Sequence, residues 1–385
     1  MAGVYVHIPF CKSRCIYCDF FSTTSLEERT RYVNALCKEI EARRDYLHTS
    51  KQNGKVSIDT IYFGGGTPTQ LSADDIKNVM ECLHRIYDVS REAEITIEGN
   101  PDDLNRRMLD NLLKVGFNRL SMGIQTFSDE RLRFLCRRHT AEAAAHAVEE
   151  AKRAGFGNIS IDLMYGFPNE TLSEWENDVS VAIGLGIQHI SAYSLMYEEG
   201  TALYRMREEG KVEEVDEELS LSMYEMLMDK LEDAGFEHYE ISNFSRPGFR
   251  SRHNSSYWNG IPYIGVGAAA HSFDGKSRQW NPSSLSCYIT GMEGGTLSVE
   301  KEELSEWQRY DECIMTGLRT SDGVNLDALR QMFGNERLRY CMDCAEKYIH
   351  DGLLEIISSP YSLRLTRKGI FVSDSIMAEL MSDED

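Results

Sequence analysis

Six short runs rich in β-branched and aromatic residues alternate with amphipathic stretches through the first half of the chain, and this alternation constrains the fold more than any other feature. The runs cover residues 4–8, 58–63, 94–98, 118–124, 158–163 and 188–194, and the stretches near 26–46, 72–87, 104–114, 140–153 and 171–184 carry a helical period. Strands joined through helices pair in parallel, because each crossover returns the chain to the same end of the sheet. The prediction is an α/β fold, a partial parallel TIM-like barrel with its helices outside. Ser72 with Asp75, and Thr171 with Glu174, mark helix N-termini, while Gly155 suits a left-handed helix end.

At 385 residues the chain is longer than one core usually serves. The pattern divides it into a barrel over 1–242, a Gly-, Asn-, Ser- and aromatic-rich segment over 243–298 packed beside the barrel mouth, and a helical domain over 299–385. In the last, helices precede a small hairpin of 353–357 against 362–365, a winged-helix-like order. No apolar run reaches about 18 residues, so neither a membrane helix nor a signal peptide is expected and the predicted location is cytoplasmic. A net charge of −21 disfavours a nucleic-acid partner. Ten cysteines spread over so long a chain are unlike a disulfide framework.

Cys11, Cys15 and Cys18 form a C-x3-C-x2-C run directly behind the apolar segment 4–10. A short loop has no core in which to bury three thiols, so they read as metal ligands at the end of a strand. Zinc would take a fourth ligand from His7 or Asp19, giving a non-catalytic interaction module. An iron–sulfur cluster would use three thiolates and leave one iron open to a small molecule. The run Gly64-Gly65-Gly66-Thr67-Pro68-Thr69 follows the second strand; it suits close backbone approach to an anion, or a tight turn, and matches neither a Walker loop nor a dinucleotide fingerprint.

Together these segments resemble the radical S-adenosylmethionine (SAM) superfamily. The resemblance implies a [4Fe-4S] cluster on Cys11, Cys15 and Cys18 with SAM on its fourth iron, and contacts to SAM from Gly65, Gly66 and Thr67. It places Tyr5, Tyr17, Glu98, Gln125, Arg137, Asp162 and Met196 around the same cofactor. The motifs at 98–101, 118–125 and 162–168 are similar to those of oxygen-independent coproporphyrinogen III oxidase and its relatives, whose activity would be radical decarboxylation. Phe20 stands where those oxidases carry a further cysteine, and few residues precede the loop, which turns the resemblance toward the haem chaperones of the same branch. Their H-N-x-x-Y-W segment is matched by His253-Asn254-Ser255-Ser256-Tyr257-Trp258.

That match implies His253 as a haem-iron ligand and Tyr257 and Trp258 as an apolar wall, against a plain reading as a packing loop with a hydrogen-bonded histidine. His271, after the small-residue run 265–270, and Tyr263 are further candidates for the same pocket, His271 against a plain reading as a structural histidine. Cys341 and Cys344 share a helix face and read as packing. The partners implied are an apo-protein that accepts haem, a respiratory haem enzyme among the candidates, an electron donor for the cluster and a second copy in a homodimer. Transfer at the membrane surface would make the association peripheral.

Overall fold

Polar and apolar residues alternate along the central strands, and this decides which way the sheet faces. Ile95, Ile97, Leu120, Met122, Ile161 and Ile190 are buried in the main core, whereas Thr96, Arg119, Ser121, Ser160, His189 and Ser191 alternate with them and are also buried. Successive strand residues point to opposite faces, so the apolar set packs on the helices and the polar set lines the inside. A parallel sheet covered on both faces by an apolar core would show no such alternation. The inner face therefore surrounds chemistry instead of a core.

The computed structural model describes residues 2–47, 51–52 and 54–381. In chain order the strands are β1 (Gly3–Ile8), β2 (Lys51–Gln52), β3 (Lys55–Gly65), β4 (Asp88–Gly99), β5 (Arg119–Gln125), β6 (Ile159–Tyr165), β7 (His189–Ser194), β8 (Glu237–Glu240), β9 (Asn243–Ser245), β10 (Tyr263–Val266), β11 (His271–Phe273), β12 (Ser277–Trp280) and β13 (Glu300–Glu303), followed by β14 (Val324–Asn325), β15 (Leu354–Ser358) and β16 (Tyr361–Leu365). The main sheet runs β13-β12-β11-β10-β1-β3-β4-β5-β6-β7-β9-β8 and is open, with β10, β1, β3, β4, β5, β6 and β7 parallel.

The helices between the parallel strands are α1 (Arg29–Ala42), α2 (Ala73–Ile86), α3 (Arg106–Val115), α4 (Asp129–Phe134), α5 (Ala141–Ala154) and α6 (Leu172–Gly184). Capping boxes at Ser72/Asp75 and Thr171/Glu174 start α2 and α6, and Gly155, at φ 117°, ends α5. Next come α7 (Ala202–Glu208), α8 (Glu217–Asp233), α9 (Arg252–Trp258), α10 (Leu285–Glu293), α11 (Glu306–Leu318) and α12 (Leu326–His350).

Residues 243–298 depart from expectation. They are part of the sheet itself: β9 extends one side and β10–β12 the other, and Ile264, Val266, Tyr288 and Ile289 belong to the main core. Two helices also lie here, α9 and α10, capped by Ser251 and Ser284. At seven and nine residues they are too short to show a helical period.

A second core, around Tyr310, Ile314, Leu329, Cys341, Leu354 and Leu363, joins α11 and α12 to the three-stranded sheet β14-β16-β15. Cys341 is buried there as packing. β13, placed by the sequence pattern with this part, instead pairs with β12 on the main sheet. An ion pair from Arg319 to the buried Glu240, 2.6 Å, fastens the two cores together. Among the described residues no helix is long and apolar enough to cross a membrane.

Candidate cofactor site

The cysteine loop leaves the C-terminal end of β1, and backbone bonds shape it before any ligand is involved. Cys11 N donates to Thr23 O at 2.9 Å, and Thr23 N returns a bond to Pro9 O at 2.7 Å, closing the loop at its base. Leu203 N donates to Ile16 O, and Ile16 and Tyr17 pack on Leu135, Met164, Phe167, Leu195 and Leu203, which tie the loop to the opposite side of the mouth.

The glycine run meets this loop closely enough to exclude side chains. Gly66 N donates to Ile8 O and Thr67 N to Phe10 O, both at 2.9 Å. A Cβ on Gly66 would lie 2.8 Å from Pro9 C and 3.0 Å from Cys11 Sγ. Gly65 has φ 110°, and a Cβ there would meet the His7 ring at 2.6 Å. The Thr67 hydroxyl stands 3.6 Å from Cys11 Sγ.

Arg137 reaches the loop from the strand ends opposite. Its guanidinium donates to Cys15 Sγ at 3.5 Å, to Asn100 Oδ1 at 2.7 Å and to Gly123 O. Gln125 lies just beyond, at φ 74° and next to a register shift between β5 and β6. A left-handed glutamine in a bulged strand end is costly, and such strain concentrates where a side chain must be aimed.

Deeper in the barrel, Glu98 accepts from the Tyr62 hydroxyl at 2.7 Å and from Gly65 N at 3.2 Å. Burial raises its pKa to about 7, opposed by the Tyr62 bond, and Asp162 adds repulsion. Burial also raises Asp162 to about 6, opposed by Ser191, Arg119 and Arg137. Tyr5 packs against Tyr62 and bonds His7 Nδ1 at 3.2 Å. Met196 lies on the rim, 63% exposed.

This arrangement leads to a pH prediction. Glu98 holds its proton more tightly in the fold than in the unfolded chain, so its contribution to stability is full below its ordinary value of 4.5 and is lost as pH rises through 7. In cluster-free protein Glu98→Gln therefore gains stability over wild type between pH 5 and pH 8, by on the order of 1–3 kcal/mol. Thermal melts at the two pH values measure it; an equal offset at both would show that Glu98 is not raised.

Of the two fourth ligands the zinc alternative allows, His7 is engaged. His7 Nε2 donates to Phe21 O at 3.0 Å and Nδ1 accepts from Tyr5, so no lone pair is free. Burial and neighbouring thiolates raise Cys18 to about 11 and move Cys11 upward too, so three thiolates gather here only around compensating positive charge.

A model of the radical SAM superfamily matches residues 5–182, and one of the HemN C-terminal domain matches residues 304–372. The heme chaperone HemW of Bacillus subtilis (strain 168) is 33% identical over 100% of both chains. The chain belongs to the HemW family of radical SAM proteins. The Mycobacterium tuberculosis (strain H37Rv) heme chaperone HemW is also 33% identical, over 98% of this chain and 94% of that protein. The zebrafish (Danio rerio) mitochondrial radical SAM domain-containing protein 1 is 30% identical, over 99% and 87%. The solved coproporphyrinogen III oxidase HemN of Escherichia coli shares the fold, with a TM-score of 0.84 at 22% identity over 99% of this chain and 90% of that one. Radical SAM membership implies a [4Fe-4S] cluster and SAM, and the thiol loop, glycine cradle and buried carboxylates suit both groups.

Sequence reading missed Tyr62, Asn100 and Gly123, which hold Glu98 and Arg137 in place. Tyr62 was detectable in principle, since it lies two residues before Gly64 and so on the same strand face. The H-N-x-x-Y-W segment lies apart from the cysteine loop. It forms α9 at the N-terminal ends of the strands, where Glu94 accepts from the backbone of Arg252 and His253. The cysteine loop lies at the other end of β1, roughly 15 Å away at about 3.3 Å per residue.

His253 is 1% exposed, with Nδ1 bonded to Thr60 Oγ1 at 2.9 Å and Nε2 to the Tyr257 hydroxyl at 2.8 Å. Its ring therefore offers iron no open lone pair. Tyr257 packs inward on Tyr263, and Trp258 stacks under Arg319 at 4.9 Å. The segment closes the barrel floor and joins it to the second core.

Proposed function

We propose that this protein binds haem and delivers it to an acceptor protein, with a [4Fe-4S] cluster held by Cys11, Cys15 and Cys18 and SAM held beside it. The observation that carries the reading is the likeness to heme chaperones over the entire chain, at 33% identity. When bound, the cluster supplies an electron and the open iron that SAM coordinates. The residues of this chain bind and orient. Gly65, Gly66 and Thr67 give the methionyl end a backbone cradle, and Arg137 offers its carboxylate a fixed cation. Glu98, Asp162 and Gln125 face the ribose and amine with acceptors and a donor. Tyr5, Tyr17 and Met196 give the apolar parts contact.

Radical decarboxylation of coproporphyrinogen has less support, since the solved oxidase is only 22% identical. Phe20, 66% exposed beside the cluster loop, also carries no ligand atom.

The test combines iron and sulfide analysis, haem titration and transfer to an apo-protein on one anaerobically reconstituted preparation. The expected result is a filled cluster, stoichiometric haem and transfer without porphyrin turnover. Decarboxylation of coproporphyrinogen III with consumption of SAM would overturn the proposal. An acceptor from the respiratory haem proteins, a separate electron donor and a homodimer belong to the same reading.

A further inference from the structure

His253 has both ring nitrogens hydrogen-bonded in the floor, and the inner face of the sheet extension presents another histidine. β11 and β12 pair His271 with Trp280 and Phe273 with Arg278, directly opposite one another, so all four side chains project to one face. Phe273 meets Tyr263 at 6.5 Å and Tyr263 meets Tyr257 at 4.7 Å, which makes this face continuous with the barrel interior. His271 follows the turn at the C-terminal end of β10 and lies across from Gly265, which pairs with Tyr5 of β1; it is close enough to His7 to act on its charge.

The ring of His271 is exposed and stacks on Trp280 at 5.8 Å and 21°. Among the described residues neither of its nitrogens takes a hydrogen bond. His7, His189 and His253, which line the barrel, all have both ring nitrogens engaged. Burial and the Arg278 charge hold His271 below its ordinary pKa, which keeps it neutral with a lone pair available. Arg278, held by Glu312 at 2.8 Å, gives the same face a cation.

We infer that haem docks on this face beside the barrel mouth, with the His271 imidazole ligating its iron, Trp280 backing the imidazole and Arg278 facing a propionate. The site rests on the haem-delivery reading and gives that reading a place on the molecule. It sets haem beside Tyr5 and His7, and His7 packs on Phe21 of the cluster loop at 6.2 Å.

Anaerobic titration of the reconstituted holoprotein with hemin tests the site. Wild type is expected to give an imidazole-ligated spectrum, and His271→Ala to shift that spectrum and weaken binding about tenfold or more. Added imidazole should restore the spectrum, and His271→Cys should replace it with a thiolate-ligated one. Cluster content should be unchanged throughout, since His271 touches no loop cysteine. Unchanged affinity and spectrum in His271→Ala, with hemin bound by wild type, would overturn the site and leave haem delivery standing. Failure of wild type to bind hemin would overturn the haem-delivery reading and the site with it.

Discussion

Cys15→Ala is expected to leave the anaerobically reconstituted protein almost without iron and sulfide. The loop has three thiols, and the fourth iron of a radical SAM cluster belongs to SAM, so no spare protein ligand can replace the one removed. Two losses compound. The cluster keeps two protein ligands, and the Arg137 guanidinium, which donates to Cys15 Sγ at 3.5 Å, loses one of its three anchors. Iron and sulfide should fall to about a tenth of wild type or less, with SAM binding lost alongside. Cys287→Ala, on the exposed side of α10, is the control and should keep full occupancy. Retention of a four-iron cluster by the Cys15 variant would remove that residue from the ligand set.

Gly66→Ala should weaken SAM binding about 10- to 100-fold, through crowding alone. The added methyl falls 2.8 Å from Pro9 C and 2.9 Å from Pro9 O, and both are backbone atoms that no rotamer change can move. Relief requires the end of β1 and the start of the cysteine loop to part, which breaks the 2.9 Å bonds from Gly66 N to Ile8 O and from Thr67 N to Phe10 O. A binding loop tolerates displacement of only about 0.5 Å before its contacts fail. Gly184→Ala supplies the contrast, because nothing lies within 4 Å of its added Cβ at the end of α6. It should be neutral or stabilising by up to about 1 kcal/mol. Equilibrium binding of SAM to both variants decides the matter; equal affinities would mean the cradle is not where SAM sits.

The strand–helix alternation was legible because it is written in local period, and β1, β3, β4, β5, β6 and β7 overlie the six runs read from it. The capping boxes were legible for the same reason, since Ser72 and Asp75 lie within one turn. The elements of 243–298 were not legible, because its strands have three or four residues and its helices seven and nine, below the length at which a period emerges.

Local spacing by itself determined the parallel sheet, the thiol triplet at the end of its first strand and the glycine turn at the end of the next. Tertiary structure alone decided which polar atoms are left open. Thr60 lies 193 residues from His253, and their hydrogen bond turns the histidine of the H-N-x-x-Y-W segment into part of the floor. Tyr62 and Glu98 are 36 residues apart, and Asn100 and Arg137 are 37, yet these pairs set the charge and aim of the mouth. The physical reason is that a lone pair is either free or shared, and the group that shares it comes from wherever the sheet brings a neighbouring strand. Among the described residues His271, of the same residue type as His253, keeps both ring nitrogens free of hydrogen bonds because no neighbouring strand brings a partner to it.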